Sequence, residues 1–77
     1  MTARERRLRM TTGLAIIALG SNQGDARRQV REAIGRLAEL SAAPLRVSSL
    51  WETAPVDCPP GSPPFVNAVV ALTPLPA

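Results

Sequence analysis

The segment Phe65–Leu72 constrains the fold of this chain more than any other. As an extended strand it would carry apolar side chains on both faces, with Asn67 as the exception. A strand that is apolar on both faces is normally buried on both, in the middle of a sheet. We therefore expect Phe65–Leu72 to have a neighbouring strand on either side.

Periodicity predicts two further strands and one helix. Leu14–Leu19 is a short, continuous apolar run ended by Gly20, which is typical of a buried strand. A helix is predicted over Asp25–Leu40, with one apolar stripe. The stripe consists of Val30, Ala33, Ile34, Leu37 and Ala38. Leu45–Thr53 alternates and predicts a strand with one mostly buried face. That face would hold Leu45, Val47, Ser49, Trp51 and Thr53.

The connections are rich in turn residues. Gly20–Asp25 contains two glycines and side chains that cap helices, so we interpret it as a tight strand-to-helix turn. It is not a phosphate loop of the P-loop or dinucleotide type, because the chain has no lysine and no G-x-G-x-x-G spacing. Ala54–Pro64 contains five prolines and one glycine, which predicts a long, stiff loop.

The order β-α-β-β predicts an α+β fold. A right-handed crossover would place the first two strands parallel, with the third antiparallel between them. This is the first half of a ferredoxin-like split βαβ domain, and we assign it to residues 14–77. The second helix and the fourth strand of that fold are not present, so we expect residues 14–77 to be a truncated, N-terminal part of a domain.

Residues 1–13 are predicted to be a basic, disordered tail. The formal net charge of +3 comes from four arginines and one glutamate within the first nine residues, whereas arginines and acidic residues balance from Met10 onward. A targeting leader and a true translation start at Met10 are the alternatives. A neutral folded part does not favour a nucleic-acid partner. The longest apolar run is too short for a membrane span, so we expect a cytoplasmic protein.

Metal and disulfide chemistry have little support in the composition. The chain contains no histidine and one cysteine, Cys58, which excludes an intrachain disulfide or a zinc site of the usual kind. We interpret Cys58 as a small apolar residue. The acidic residues are scattered, and no close pair is available to hold Mg²⁺ against a triphosphate.

Binding chemistry is concentrated around the proline-rich loop. Thr53 precedes the loop, and Phe65 and Asn67 follow it. Phe65 and Asn67 are two residues apart, so both side chains point to one sheet face. An aromatic ring beside a carboxamide suits a flat heterocycle, which can stack on the ring and pair with the amide. The alternative is that Phe65 belongs to the core and that Asn67 satisfies a backbone group.

Three ordered motifs resemble one enzyme family. IALGSNQGD at residues 17–25 is similar to the A-L-G-S-N-x-G-D opening of the hydroxymethyldihydropterin pyrophosphokinases. VSSLWETAPV at residues 47–56 resembles their V-S-S-x-Y-E-T-x-P-V segment, and FVNAVV at residues 65–70 resembles their F-x-N-A-V-V strand. The resemblance extends from about Leu14 to Leu72.

The resemblance implies transfer of a pyrophosphoryl group from ATP to the hydroxymethyl group of a reduced pterin, a step of folate synthesis. It implies that Phe65 stacks on the pterin, that Asn67 hydrogen-bonds its edge, and that Asn22 braces the first turn near the pocket. It also implies that the slot that binds the pterin is lined by Thr53, Ala54 and Val56. Ala54 stands where relatives often have proline or glutamate, and Trp51 where tyrosine is common.

No catalytic residue is assigned within the chain. The resemblance implies that the ligands of ATP and Mg²⁺ lie beyond residue 77: the family's D-x-D aspartates and its arginine-rich ATP loop. A second pterin-stacking aromatic would lie there as well. We therefore expect the chain to be inactive by itself. The alternative is a small, non-catalytic βαββ module that binds a ligand or partner. Oligomeric state, and fusion or adjacency to other folate enzymes, stay open.

Overall fold

The computed structural model describes residues 4–9 and 13–75. Five strands and one helix are found in these ranges. In chain order they are β1 (Arg4–Arg9), β2 (Ala15–Ser21), α1 (Ala26–Ala38), β3 (Arg46–Val47), β4 (Trp51–Thr53) and β5 (Phe65–Leu72).

The strands form one antiparallel sheet with β5 in its interior. The order across the sheet is β1-β2-β5-β3, and β4 pairs with β5 next to β3. Because β2 and the β3–β4 strands are each antiparallel to β5, they run in the same direction on either side of it. The predicted α+β class and the interior position of Phe65–Leu72 are confirmed, as is the arrangement of a partial ferredoxin-like fold.

One face of the sheet packs against α1 and forms the core. Every second side chain of β2 and β5 is buried on this face, and Val30 and Leu37 of the helix are buried against them. The buried core residues are Ala15, Ile17, Leu19, Val30, Leu37, Val66, Ala68, Val70 and Leu72. The predicted helical stripe is confirmed for Val30, Ala33, Ile34 and Leu37. It is wrong for Ala38, which is exposed in the last turn.

Helix α1 begins at Ala26, directly after its N-cap residue Asp25. The Asp25 side chain accepts a hydrogen bond from the backbone N–H of Arg28, with Oδ1 at 3.2 Å. An aspartate in this position satisfies one of the backbone donors that a helix leaves unpaired in its first turn. The turn before α1 also contains Gly24, whose φ of 56° is a conformation that glycine adopts without strain.

Strand β2 continues past the point at which the apolar run predicted its end. Gly20 and Ser21 remain in the ladder, where they pair with Asn67 and Val66. The Ser21 side chain is buried, and its hydroxyl donates to Oε1 of Gln29 in α1 at 2.6 Å. Pairing with β5 thus extends the strand to Ser21. The buried Ser21 hydroxyl has its hydrogen-bond partner in the Gln29 side chain of the helix.

The predicted continuous strand Leu45–Thr53 is interrupted. Its two ends form β3 and β4, and residues 48–50 between them belong to neither strand. Thr53 and Trp51 consequently lie on the opposite sheet face from Val47, so the single-face assignment from alternation was wrong. Ala54–Pro64 contains no strand, in agreement with its predicted loop character.

Residues Arg4–Arg9 were predicted to belong to a disordered tail, but the structure shows them as a strand. This segment is strand β1, which pairs antiparallel with β2 from Arg4 opposite Gly20 to Arg9 opposite Ala15. It thereby covers the edge of β2 that would otherwise present unpaired backbone groups. The rest of the predicted tail, apart from Gly13, lies outside the described residues. Within the parts of the chain that are described, no helix has the length and apolar character needed to cross a membrane.

Candidate functional site

The sheet face opposite α1 presents polar and aromatic side chains from two of the three motifs. Directly paired residues of an antiparallel sheet share a face, so Trp51 lies beside Asn67, and Thr53 beside Phe65. Asn67 also pairs with Gly20 of β2 on its other side. The structure therefore brings three predicted site residues, Thr53, Phe65 and Asn67, to one end of this open face.

The Asn67 carboxamide is held by its neighbours. Its Nδ2 donates to Oγ1 of Thr53 at 2.9 Å and to the backbone carbonyl of Trp51 at 3.3 Å, with the Phe65 carbonyl at 3.5 Å. A carboxamide has two N–H donors, and the two shorter contacts engage both of them. Asn67 is therefore oriented with its donors toward the protein, and Oδ1 is the group that remains to accept a hydrogen bond.

Gly20 makes the space into which Oδ1 points. A Cβ atom added to this glycine would lie 3.3 Å from Oδ1 of Asn67 and 3.9 Å from Cδ1 of Phe65. Any larger side chain would occupy the surface between the amide oxygen and the aromatic ring. Gly20 was interpreted as a turn residue and not as part of the site. A glycine inside a strand often marks close approach of another group, and that signal could have identified it once the strand was known to continue.

The structure does not bring the other predicted site residues onto Asn67. Asn22 is half-buried and follows the last residue of β2. Ala54 is exposed directly after β4. Val56 is 77% exposed within the proline-rich loop. The residues that the structure brings together are Gly20, Thr53, Phe65 and Asn67.

Comparison with protein families identifies the chain. Residues 16–76 match the model of the 7,8-dihydro-6-hydroxymethylpterin-pyrophosphokinase (HPPK) family. The match covers well over half of the chain and includes all three motifs. The chain belongs to this family. Comparisons with curated proteins and with solved structures found no match.

Membership of the HPPK family makes the chain a relative of the kinase-type transferases of folate synthesis. Enzymes of the HPPK family use ATP and Mg²⁺. Within residues 4–9 and 13–75, no group of three or more histidine, cysteine, aspartate or glutamate side chains is placed to hold an ion. Within the described residues, Asn67 is the polar side chain that meets Thr53, Phe65 and Gly20 at one point on the sheet.

Proposed function

We propose that this chain forms one wall of a pterin site in an enzyme that transfers a pyrophosphoryl group from ATP to 6-hydroxymethyl-7,8-dihydropterin. The observation that carries the proposal is the oriented carboxamide of Asn67, placed beside the Phe65 ring and above Gly20. Family membership supplies the reaction class, and the geometry supports the assignment of the pterin to this end of the sheet.

The arrangement suits one edge of a pterin. The pyrimidine half of a pterin carries an amino group and a ring N–H, both of which donate hydrogen bonds. Oδ1 of Asn67 can accept from one of these donors, because Nδ2 is already engaged by Thr53 and Trp51. The Phe65 ring offers a flat apolar surface, and offset stacking of aromatic rings adds about 0.5–1.5 kcal/mol beyond the burial of their area.

The remaining predicted site residues have supporting roles in this proposal. Thr53 holds the amide, Ala54 and Val56 border the slot where the proline-rich loop leaves β4, and Asn22 braces the turn after β2. ATP and Mg²⁺ would be bound by other parts of the complete enzyme. A cytoplasmic location and a pterin partner belong to the same proposal, whereas a nucleic-acid or membrane partner does not.

The function is tested with a chimeric enzyme. Residues 14–77 replace the matching segment of an active HPPK, and AMP formation from ATP is measured with and without 6-hydroxymethyl-7,8-dihydropterin. We expect pterin-dependent AMP formation from the chimera and none from the 77-residue chain. AMP formation by the 77-residue chain would show that the chain is sufficient, against our expectation.

The chimera also separates the proposal from its alternative. A folded chimera that binds ATP but neither binds nor turns over the pterin would contradict the proposed site and favour a non-catalytic binding module. The control is a second chimera with the parent enzyme's own strand in place of Phe65–Leu72. It reports whether the junctions themselves are tolerated.

Substitution of Gly20 tests the space beside Asn67. We expect Gly20→Val in the chimera to reduce pterin affinity by at least about tenfold, because its methyl groups would occupy the surface between Oδ1 and the Phe65 ring. Gly20→Ala should have a smaller effect, since its Cβ requires a shift of only a few tenths of an ångström. Titration with 6-hydroxymethylpterin measures both. Equal affinity of the valine variant and the unsubstituted chimera would place the pterin elsewhere.

A further inference from the structure

The pairing of β5 with its outer neighbours changes register by one residue between β3 and β4. Val47 pairs with Val70, and the next strand pair along the chain is Trp51 with Asn67. Residues 48–50 on one strand therefore oppose residues 68–69 on the other. When one strand has one more residue than its partner between two successive residue pairs, the extra residue forms a β-bulge.

Ser48 makes the hydrogen bonds that close this bulge. Its backbone N–H donates to the carbonyl of Val69 at 2.9 Å. The return bond goes to a side chain: the backbone N–H of Val69 donates to Oγ of Ser48 at 2.8 Å. The Ser48 hydroxyl in turn donates to the carbonyl of Ser49 at 2.9 Å. One hydroxyl thus provides the acceptor for a backbone donor of the central strand.

The bulge decides which sheet face the residues of β4 occupy. If all residues were present but no bulge formed, the register of β3 would continue and would place Trp51 opposite Val66, on the face covered by α1. Thr53 would move to that face as well and lose Asn67. The observed register places Thr53 on the open face with its Oγ1 at 2.9 Å from Nδ2 of Asn67.

Two contacts on the helix side are consistent with the same register. Leu50 packs against the buried core. Glu52 lies on the helix side, where its Oε1 is 3.9 Å from Nη2 of Arg27 in α1. A slip of one residue would turn Glu52 to the open face and separate this pair. The register therefore places an apolar and a charged side chain on the helix side, while Trp51 and Thr53 reach the site.

We propose that Ser48 is the positioning residue of this site: its hydroxyl holds the bulge whose register brings Thr53 onto Asn67. The hydrogen bonds of Ser48 described above go to Val69 and Ser49, which lie outside the Thr53–Asn67 pair. The inference rests on the proposed function for the identity of the ligand only. The coupling between Ser48 and the Thr53–Asn67 pair is a property of the chain alone.

The test uses nuclear magnetic resonance of the ¹⁵N-labelled 77-residue chain without ligand. We expect Ser48→Ala to accelerate hydrogen exchange of the Val69 amide by roughly tenfold relative to the Val30 amide, the effect of losing one hydrogen bond. It should also weaken the nuclear Overhauser contact between the Thr53 side chain and the Asn67 amide protons. Ser48→Thr keeps the hydroxyl and should restore both signals.

Ser49→Ala is the matched control, because it removes a neighbouring hydroxyl and leaves the backbone carbonyl that Ser48 uses. We expect it to behave as the unsubstituted chain. Unchanged Val69 exchange together with an intact Thr53–Asn67 contact in Ser48→Ala would overturn the proposal. So would failure of Ser48→Thr to differ from Ser48→Ala.

A deletion covers the case in which Ser48→Ala does not fold. Deleting Ser49 removes the extra residue, so that β3 and β4 can pair with β5 in one register and keep their present partners. In that background Ser48→Ala should fold and retain the Thr53–Asn67 contact. Failure of this double variant to do so would contradict the proposal. None of these measurements involves a pterin, so their outcome and that of the chimera experiment are independent.

Discussion

Replacing Phe65 with alanine is expected to lower the affinity of the chimeric enzyme for 6-hydroxymethylpterin strongly, by up to about two orders of magnitude. Stacking of a heterocyclic base on an aromatic side chain contributes about 1–3 kcal/mol when measured by alanine substitution, equivalent to roughly 5- to 150-fold in affinity. The Phe65 ring is the one that borders Gly20, with Cδ1 3.9 Å from the position of an added Cβ. Fluorescence or calorimetric titration with the pterin measures the loss.

Two variants distinguish stacking from a role of Phe65 in the core. Phe65→Tyr keeps the ring and should retain binding. Phe65→Leu keeps an apolar side chain of similar reach without a ring, and it should bind weakly while the fold is preserved. Circular dichroism of each variant reports the fold. Phe65 would be ordinary core if the leucine variant bound as tightly as the tyrosine variant.

Replacing Leu19 with alanine is expected to produce the largest loss of stability in the chain. Leu19 is 2% exposed, on the sheet face that packs against α1, where it pairs with Ala68 of β5. Truncating a buried leucine costs about 2–5 kcal/mol, because the removed methyl groups leave a cavity. Small domains have a free energy of unfolding of about 5 kcal/mol or somewhat more, so this variant should be largely unfolded at moderate urea concentrations.

Urea unfolding followed by far-ultraviolet circular dichroism measures this loss. Leu40→Ala is the matched control, because Leu40 lies just beyond α1 and is 57% exposed. Its cost should stay within about 0.5 kcal/mol, as for most surface substitutions. Similar midpoints for the two variants would mean that the face of β2 bearing Leu19 is not the core of this fold.

Local patterns were sufficient to predict the main elements. The apolar run Phe65–Leu72 coincides with β5, and the helical periodicity places α1 within two residues of its observed ends. Both patterns reflect burial on a single element, two-sided for the strand and one-sided for the helix, so they can be recognised without knowledge of the neighbours. The spacing of Phe65 and Asn67 predicted their shared face for the same reason.

Long-range pairing produced the features that local patterns missed. The bulge between β3 and β4 depends on which residues of β5 lie opposite, and plain alternation over Leu45–Thr53 cannot reveal an extra residue. The position of Gly20 inside β2 likewise depends on its pairing with Asn67. Strand β1 depends on the free edge of β2, which exists only after the sheet has formed.

The amino-acid order alone was enough to predict the family, the α+β class and the interior strand, because short motifs, the order of the elements and an apolar run can be recognised without knowing which residues pair. The geometry of the site required the assembled sheet. Thr53, Asn67 and Gly20 come from three different strands, and these residues come together only when the register on both sides of β5 is set. On one side, that register depends on a single bulge, since a shift of one residue turns a side chain to the opposite face.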